Sequence, residues 1–171
     1  MSATVRMMHY DPRWPQEFEQ TKSSLLLSCQ GDVIDVQHIG STAITGLIAQ
    51  PIIDAVAAVA DRSAIPAATL AIEGLYFRQL PAPAWAGESL LLVKPRHGEI
   101  THQVMLTHRA SATWRRVLAV RDALRQNRER AIRFEEFKVR LWKAGQGNAP
   151  QYDRDKSLFF SHLEEQLGLE L

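Results

Sequence analysis

Residues 51–60, PIIDAVAAVA, constrain the fold of this chain more than any other stretch. The run is apolar, has the length of a strand, and opens with a proline that a strand tolerates only at its start. It reads as a buried strand. Asp54 interrupts it. Aspartate is depleted in strands because it packs poorly and competes for backbone hydrogen bonds, and a carboxylate withdrawn from water needs a cation. That cation is a metal ion, an Arg, a Lys or a His; the plainer reading is an internal salt bridge or a strand-end cap.

The segments around it supply the rest of a sheet and its helices. DPRWPQEFEQTKSSLLLSC reads as a helix with Pro12 in its first turn and Trp14, Phe18, Thr21 and Leu25 at helical spacing. VIDVQHI alternates as a short strand, and STAITGLIA is a short turn or helix opened by Ser41 or Thr42. Residues 63–73 read as a helix stopped by Gly74. LYFRQ, SLLLVK and ITHQVML are three further strands, with a hairpin turn at His97-Gly98. Residues 112–126, 129–144 and 152–167 then show the 3.6-residue period of amphipathic helices. The sum is α+β, a mixed sheet flanked by helices with a helical C-terminal third. At 171 residues, the whole chain, 1–171, is expected to form one domain.

Bulk properties narrow the function classes. A net charge of +1 and no clustered basic stretch argue against a nucleic-acid partner. The N-terminus lacks the apolar core of a secretory signal, and nothing approaches the ~20 apolar residues of a membrane span. A soluble cytoplasmic protein without a membrane partner is the expectation. The single cysteine, Cys29, leaves no internal disulfide or Cys-based zinc site and is expected in the core.

Polar residues in unusual places carry the chemistry. In HIGSTAITG (residues 38–46), Gly40 lets the backbone approach a ligand closely. Ser41 and Thr42 at a helix start would offer amides and hydroxyls to a phosphate; alone, the motif is a strand, a turn and a capped helix. Each C-terminal helix also sets a cation on its apolar stripe: Arg121, with Arg125 one turn on; then Lys138; then Lys156. One such cation is ordinarily a snorkelling side chain, whereas three in succession can converge on one anionic ligand. His102, in THQVML, is either a hydrogen-bonded structural residue or a metal ligand beside Asp54, the latter only if the two strands are neighbours.

Beyond these readings, the chain resembles the GrpB family, a branch of the DNA polymerase β-like nucleotidyltransferase superfamily whose members also occur fused behind dephospho-CoA kinase. The resemblance runs nearly end to end, through YDPRWPQEF (10–18), VQHIGSTAITGLIAQPIIDAVAAV (36–59), VRDALRQN (120–127), FEEFKVRL (134–141) and QYDRDKSLFF (151–160). It implies a nucleotidyltransferase-type mixed β-sheet, with Gly40 and Ser41 as the phosphate turn. Asp54 would be the acid that holds Mg²⁺ (or Mn²⁺) against the phosphates. The ligand implied is a nucleotide or other phosphorylated small molecule, and the reaction is nucleotidyl transfer to an acceptor. There are departures. Val56 stands where the superfamily has a second acid, and Gln50 where the family commonly has Lys. His102-Gln103-Val104 replaces a His-x-His strand, and VRDALR keeps Arg121, Asp122 and Arg125 of FRDYLR without its aromatics. They define the alternative: a binding module that keeps the fold and has lost the chemistry.

Overall fold

Short segments with apolar positions on one or both faces build a single mixed sheet from five strands: β1 (Val33–Ile39), β2 (Ile53–Val59), β3 (Arg78–Leu80), β4 (Leu90–Lys94) and β5 (His102–His108). Their order is β1-β2-β5-β4-β3. The computed structural model describes residues 5–145 and 147–148. β2 runs parallel to β5, and every other neighbouring pair is antiparallel. The sheet and its flanking helices are the α+β layout expected from the sequence. The helix expected over residues 152–167, with Lys156, lies outside the described residues.

Both faces are covered, and the alternation of side chains decides what covers each. On one face, Trp14, Phe18 and Leu25 of α1 (Trp14–Ser28) and Ala68 and Ile72 of α2 (Ile65–Glu73) pack on Ala55, Ala57, Val59, Leu92, Val104 and Leu106. On the other, Trp114 of α3 (Ala112–Gln126) packs on Ile39, Val56, Ala58 and Met105. A third cluster fastens α3 and α4 (Arg128–Ala144) to the loop after β1 through Ile44, Leu47, Val120, Leu124, Ala131 and Phe134. Cys29 is buried, as expected, and burial raises its thiol pKa.

Local chemistry sets the element ends and corrects three expectations. Pro15, not Pro12, occupies the first turn of α1, because the Asp11 carboxylate accepts the Arg13 amide (2.9 Å) and holds residues 11–13 in a turn. STAITGLIA forms one 3₁₀ turn, Ser41–Ala43, and then, after the extended Ile44, a separate turn closed by the Leu47 amide on the Ile44 carbonyl (3.3 Å) with Gly46 at φ 86°, so no longer helix forms. LYFRQ yields only its end to β3, because residues 74–76 close the C-terminus of α2 and Tyr76 adopts φ 69°. The later helices begin at real caps. Ser111 Oγ accepts the Trp114 amide (3.1 Å) and Asn127 Oδ1 the Arg130 amide (3.0 Å).

Candidate functional site

The segment from His38 to Thr42 is locked from inside. The His38 ring stacks on Phe18 with centroids 4.6 Å apart and an interplanar angle of 9°. Its Nε2 lies 2.9 Å from Thr42 Oγ1, and that hydroxyl donates to the Ile52 carbonyl at 3.0 Å. A threonine has one hydroxyl proton, so Nε2 carries the proton in the His38–Thr42 bond. Burial, then Arg125 and Arg121, push the His38 pKa down to about 4, so the ring is neutral at physiological pH. Thr42 is therefore corrected from a phosphate hydroxyl to a structural one: it is buried and ties the turn to the entry of β2. Ser41 remains partly exposed. Gly40 sits at φ 71°, ψ −173°, and a Cβ there would lie 2.9 Å from Asp54 Oδ2. The close backbone approach that glycine permits is made to the Asp54 carboxylate.

Asp54 is the one residue of β2 that is not buried. It pairs with Ile39 on one side and Gln103 on the other, and laterally paired residues share a face. Val56 lies two residues on, over the α3 side. The carboxylate thus stands, partly buried, at the end of the sheet just beyond the apolar layer under α3, so the acid falls outside the packed part of the strand.

His102 does not join it. It pairs with Ile53, placing it on the α1 face, opposite Asp54, so a shared Asp54–His102 metal pair is corrected by the sheet register even though the strands are neighbours. His102 Nδ1 lies 2.8 Å from Thr101 Oγ1, and burial, then Lys94, lower its pKa. With Lys94 and Phe77 it lines a separate cleft of about 830 Å³. Among the described residues, no group of three or more His, Cys, Asp or Glu side chains could hold a metal. Asp54 and the neutral amide of Gln103 would suit a magnesium ion only in the manner of phosphate-borne Mg²⁺, where one carboxylate and the ligand's oxygens share the coordination.

The arginines come from α3. Arg121 Nη1 donates to Gln37 Oε1 (2.9 Å) and to the His38 carbonyl (3.2 Å), while Nε and Nη2 meet Asp122 Oδ1, each at 2.9 Å. Gln37, in turn, donates to Asp35 (3.1 Å). The Arg121 side chain is only 11% exposed, so this network fixes its direction. Arg125 Nε donates to the Ala43 carbonyl (3.0 Å), and partial burial, then Arg121, lower its pKa. Two guanidinium groups are thus held, Arg121 over the edge strand β1 and Arg125 at the turn that follows it. They line a cleft of about 900 Å³ with Lys22, Arg128 and the turn residues Thr42–Leu47. Asp54 lies one strand inward from that edge. Sequence reading missed Gln37, Gln103 and Asp35; the alternation of VIDVQHI grouped Asp35 with Gln37, but nothing in it named Arg121 as their partner.

Lys138 has a different occupation from the one expected. It is buried, its ammonium donates to the Ile48 carbonyl, and it lies 5.0 Å from the centre of the Phe134 ring. Glu135, one turn earlier, accepts the Ile48 amide (2.7 Å). Together they grip both polar groups of one backbone residue. Lys138→Met keeps the stem and strips the ammonium from that carbonyl, so it is expected to cost about 1–2 kcal/mol. A urea midpoint that does not move would refute the clamp.

A family model described as GrpB protein matches residues 4–166. A UPF0157 protein of Streptomyces coelicolor is 31% identical over 170 residues, covering 96% of this chain and 84% of the relative. A UPF0157 protein of Pseudomonas aeruginosa is 28% identical over 159 residues, 89% of this chain and 63% of that protein. The crystal structure of conserved protein GrpB from Enterococcus faecalis superposes with a TM-score of 0.83 at 25% identity, covering 94% of this chain and 96% of that one. The mixed sheet with its flanking helices is the arrangement this comparison bears out. No described helix is long and apolar enough to cross a membrane.

Proposed function

The chain belongs to the GrpB family, and from that premise we propose that it binds a nucleotide or other phosphorylated small molecule at the Asp54 end of the sheet. The observation that carries the proposal is the setting of Asp54. It is a partly buried carboxylate in an otherwise buried strand, pressed against a Gly turn, on the face where Arg121 is fixed over β1. Arg125, held through Nε alone at the Ala43 carbonyl, would take phosphate oxygens with its Nη groups. Arg121, most of whose N–H groups already serve Gln37, His38 and Asp122, would add its charge and the remaining Nη2 N–H. The backbone of Gly40 and Ser41 would close the turn around the phosphates. Asp54 would hold Mg²⁺ or Mn²⁺ carried by those phosphates; the ion's contribution is to neutralise phosphate charge. Transfer of a nucleotidyl group to an acceptor is the reaction such an arrangement would serve. Binding without transfer is the second reading, favoured by Ile39, Gln103 and Val56, all neutral at the positions beside Asp54 on its own face.

Thermal shift with nucleoside triphosphates, with and without Mn²⁺, tests the proposal. The expected result is stabilisation that requires Arg121 and is enhanced by metal. Arg121→Gln should lose most of it, Asp54→Ala only the metal-dependent part, and Lys138→Met neither. No response of the wild-type protein to any triphosphate would refute binding. A binding response with no product from labelled triphosphate would select the second reading.

A further inference from the structure

All five strands contribute to one row across the Asp54 face. Ile39 pairs with Asp54, Asp54 with Gln103, Gln103 with Val93, and Val93 with Arg78. Paired residues point to one side of a sheet, so an acid, an amide and a guanidinium share a face, with the fully buried Val93 between the last two. The row behind it is apolar toward α3 from β2 to β3, with Val56, Met105, Leu91 and Leu80, and polar at its β1 end, where Gln37 pairs with Val56.

Arg78 also has an unmet need. Its Nε is the one buried side-chain nitrogen or oxygen without a hydrogen-bond partner among the described residues. Buried donors are almost always paired, and an unpaired one needs an explanation such as a water, an ion or a functional role. Charge favours an anion. Asp54 stands between a guanidinium held over the β1 edge, Arg121, and one rooted on the opposite edge, Arg78.

We propose that Arg78 is a second anion-binding pole of this face, and that the ligand carries two separated phosphate groups, one met by Arg121 and the other by Arg78. Gln103 hydrogen-bonds the uncharged middle. The inference rests on the binding reading above and adds the ligand's second charge and its length. Four strand intervals of about 4.8 Å separate β1 from β3, roughly 19 Å, which sets the scale of the span the ligand must cover.

Linear α,ω-alkane bisphosphates of increasing chain length act as a ruler, with an alkyl monophosphate as reference, titrated calorimetrically into the full chain with Mg²⁺. The expected result is a length optimum at which the bisphosphate binds at least about tenfold tighter than the monophosphate, the gain of two-point attachment. Arg78→Gln should erase that gain and leave the monophosphate unchanged; Arg121→Gln should weaken both. A bisphosphate that gains nothing, or a gain that survives Arg78→Gln, overturns the second pole and leaves the binding reading standing. Failure of both probes to bind overturns the reading and the pole together. Should Arg78→Gln not fold, the Nε–H resonance of wild-type Arg78, assigned by its loss in Arg78→Lys, decides. Movement with the bisphosphate but not the monophosphate supports the pole, and a stationary signal refutes it.

Discussion

Gly40→Ala is expected to destabilise the protein by about 3 kcal/mol and to remove the metal-dependent part of any triphosphate response. Two effects add. The backbone at φ 71°, ψ −173° lies in a region that is essentially glycine's alone, worth about 1–3 kcal/mol for any other residue. A methyl group built there also meets Asp54 Oδ2 at 2.9 Å and Asp54 Cβ at 3.2 Å, closer than side-chain carbons settle. The carboxylate must turn away or the turn must shift, and in either case Asp54 leaves the position from which it would meet a ligand.

A double-mutant cycle separates the two effects. In Gly40→Ala/Asp54→Ala the Oδ2 contact is gone while the backbone strain and the Cβ contact remain. The pair should therefore be less destabilised than the sum of its singles, by about 1 kcal/mol. Strict additivity would mean that the backbone alone demands glycine and that its nearness to the carboxylate is incidental. A single Gly40→Ala variant as stable as the wild type would sink both parts.

The legible features were the ones encoded by local periodicity. Strand β2, the four described α-helices and the acid in an apolar run are written in spacing, and the structure places them accordingly. The illegible ones depend on register and on which of two faces a side chain takes. His102 and Asp54 lie on adjacent strands, as sequence reasoning required, yet a one-residue offset in pairing puts them on opposite sides of the sheet. Lys138 occupies an apolar stripe position, as expected, but a buried ammonium can be satisfied by a backbone carbonyl as well as by a phosphate, and spacing does not distinguish these. Arg78 was invisible for a related reason. It stands in a three-residue edge strand without a periodic signature, and its row becomes apparent only when four pairings are followed across the sheet. Thr42 shows the limit of reading a motif as a ligand cradle. In HIGST, the histidine and the threonine serve each other.

That last pair sets the acid sensitivity. His38 has a folded-state pKa of about 4 against an ordinary 6.5, so between those values the unfolded chain binds a proton that the native chain refuses. Stability from this residue is fully present above about pH 6.5 and is lost as the pH falls toward 4, some 3 kcal/mol in all. His102, whose pKa is also lowered, acts in the same direction. The exposed carboxylates Asp11 and Asp61, lowered from 3.8, lose their contribution only at still lower pH. Urea unfolding from pH 7 to pH 4.5 should therefore show stability falling, with His38 alone contributing up to about 1.4 kcal/mol per pH unit and His102 adding to the slope. His38→Gln keeps a donor for Thr42 and removes the titration. It should be less stable at pH 7, having lost the stack on Phe18, yet nearly level across the same range, apart from the slope His102 leaves. A variant that retained the full wild-type slope would show that the acid sensitivity lies elsewhere. The same ring reports on the cleft, because Arg125 and Arg121 are part of what depresses it. A phosphate group seated on those guanidiniums offsets their field at the imidazole, so the His38 pKa should rise when phosphate occupies the cleft. Titrating its ring proton resonances with and without phosphate would show whether the arginines facing His38 are the ones a ligand meets.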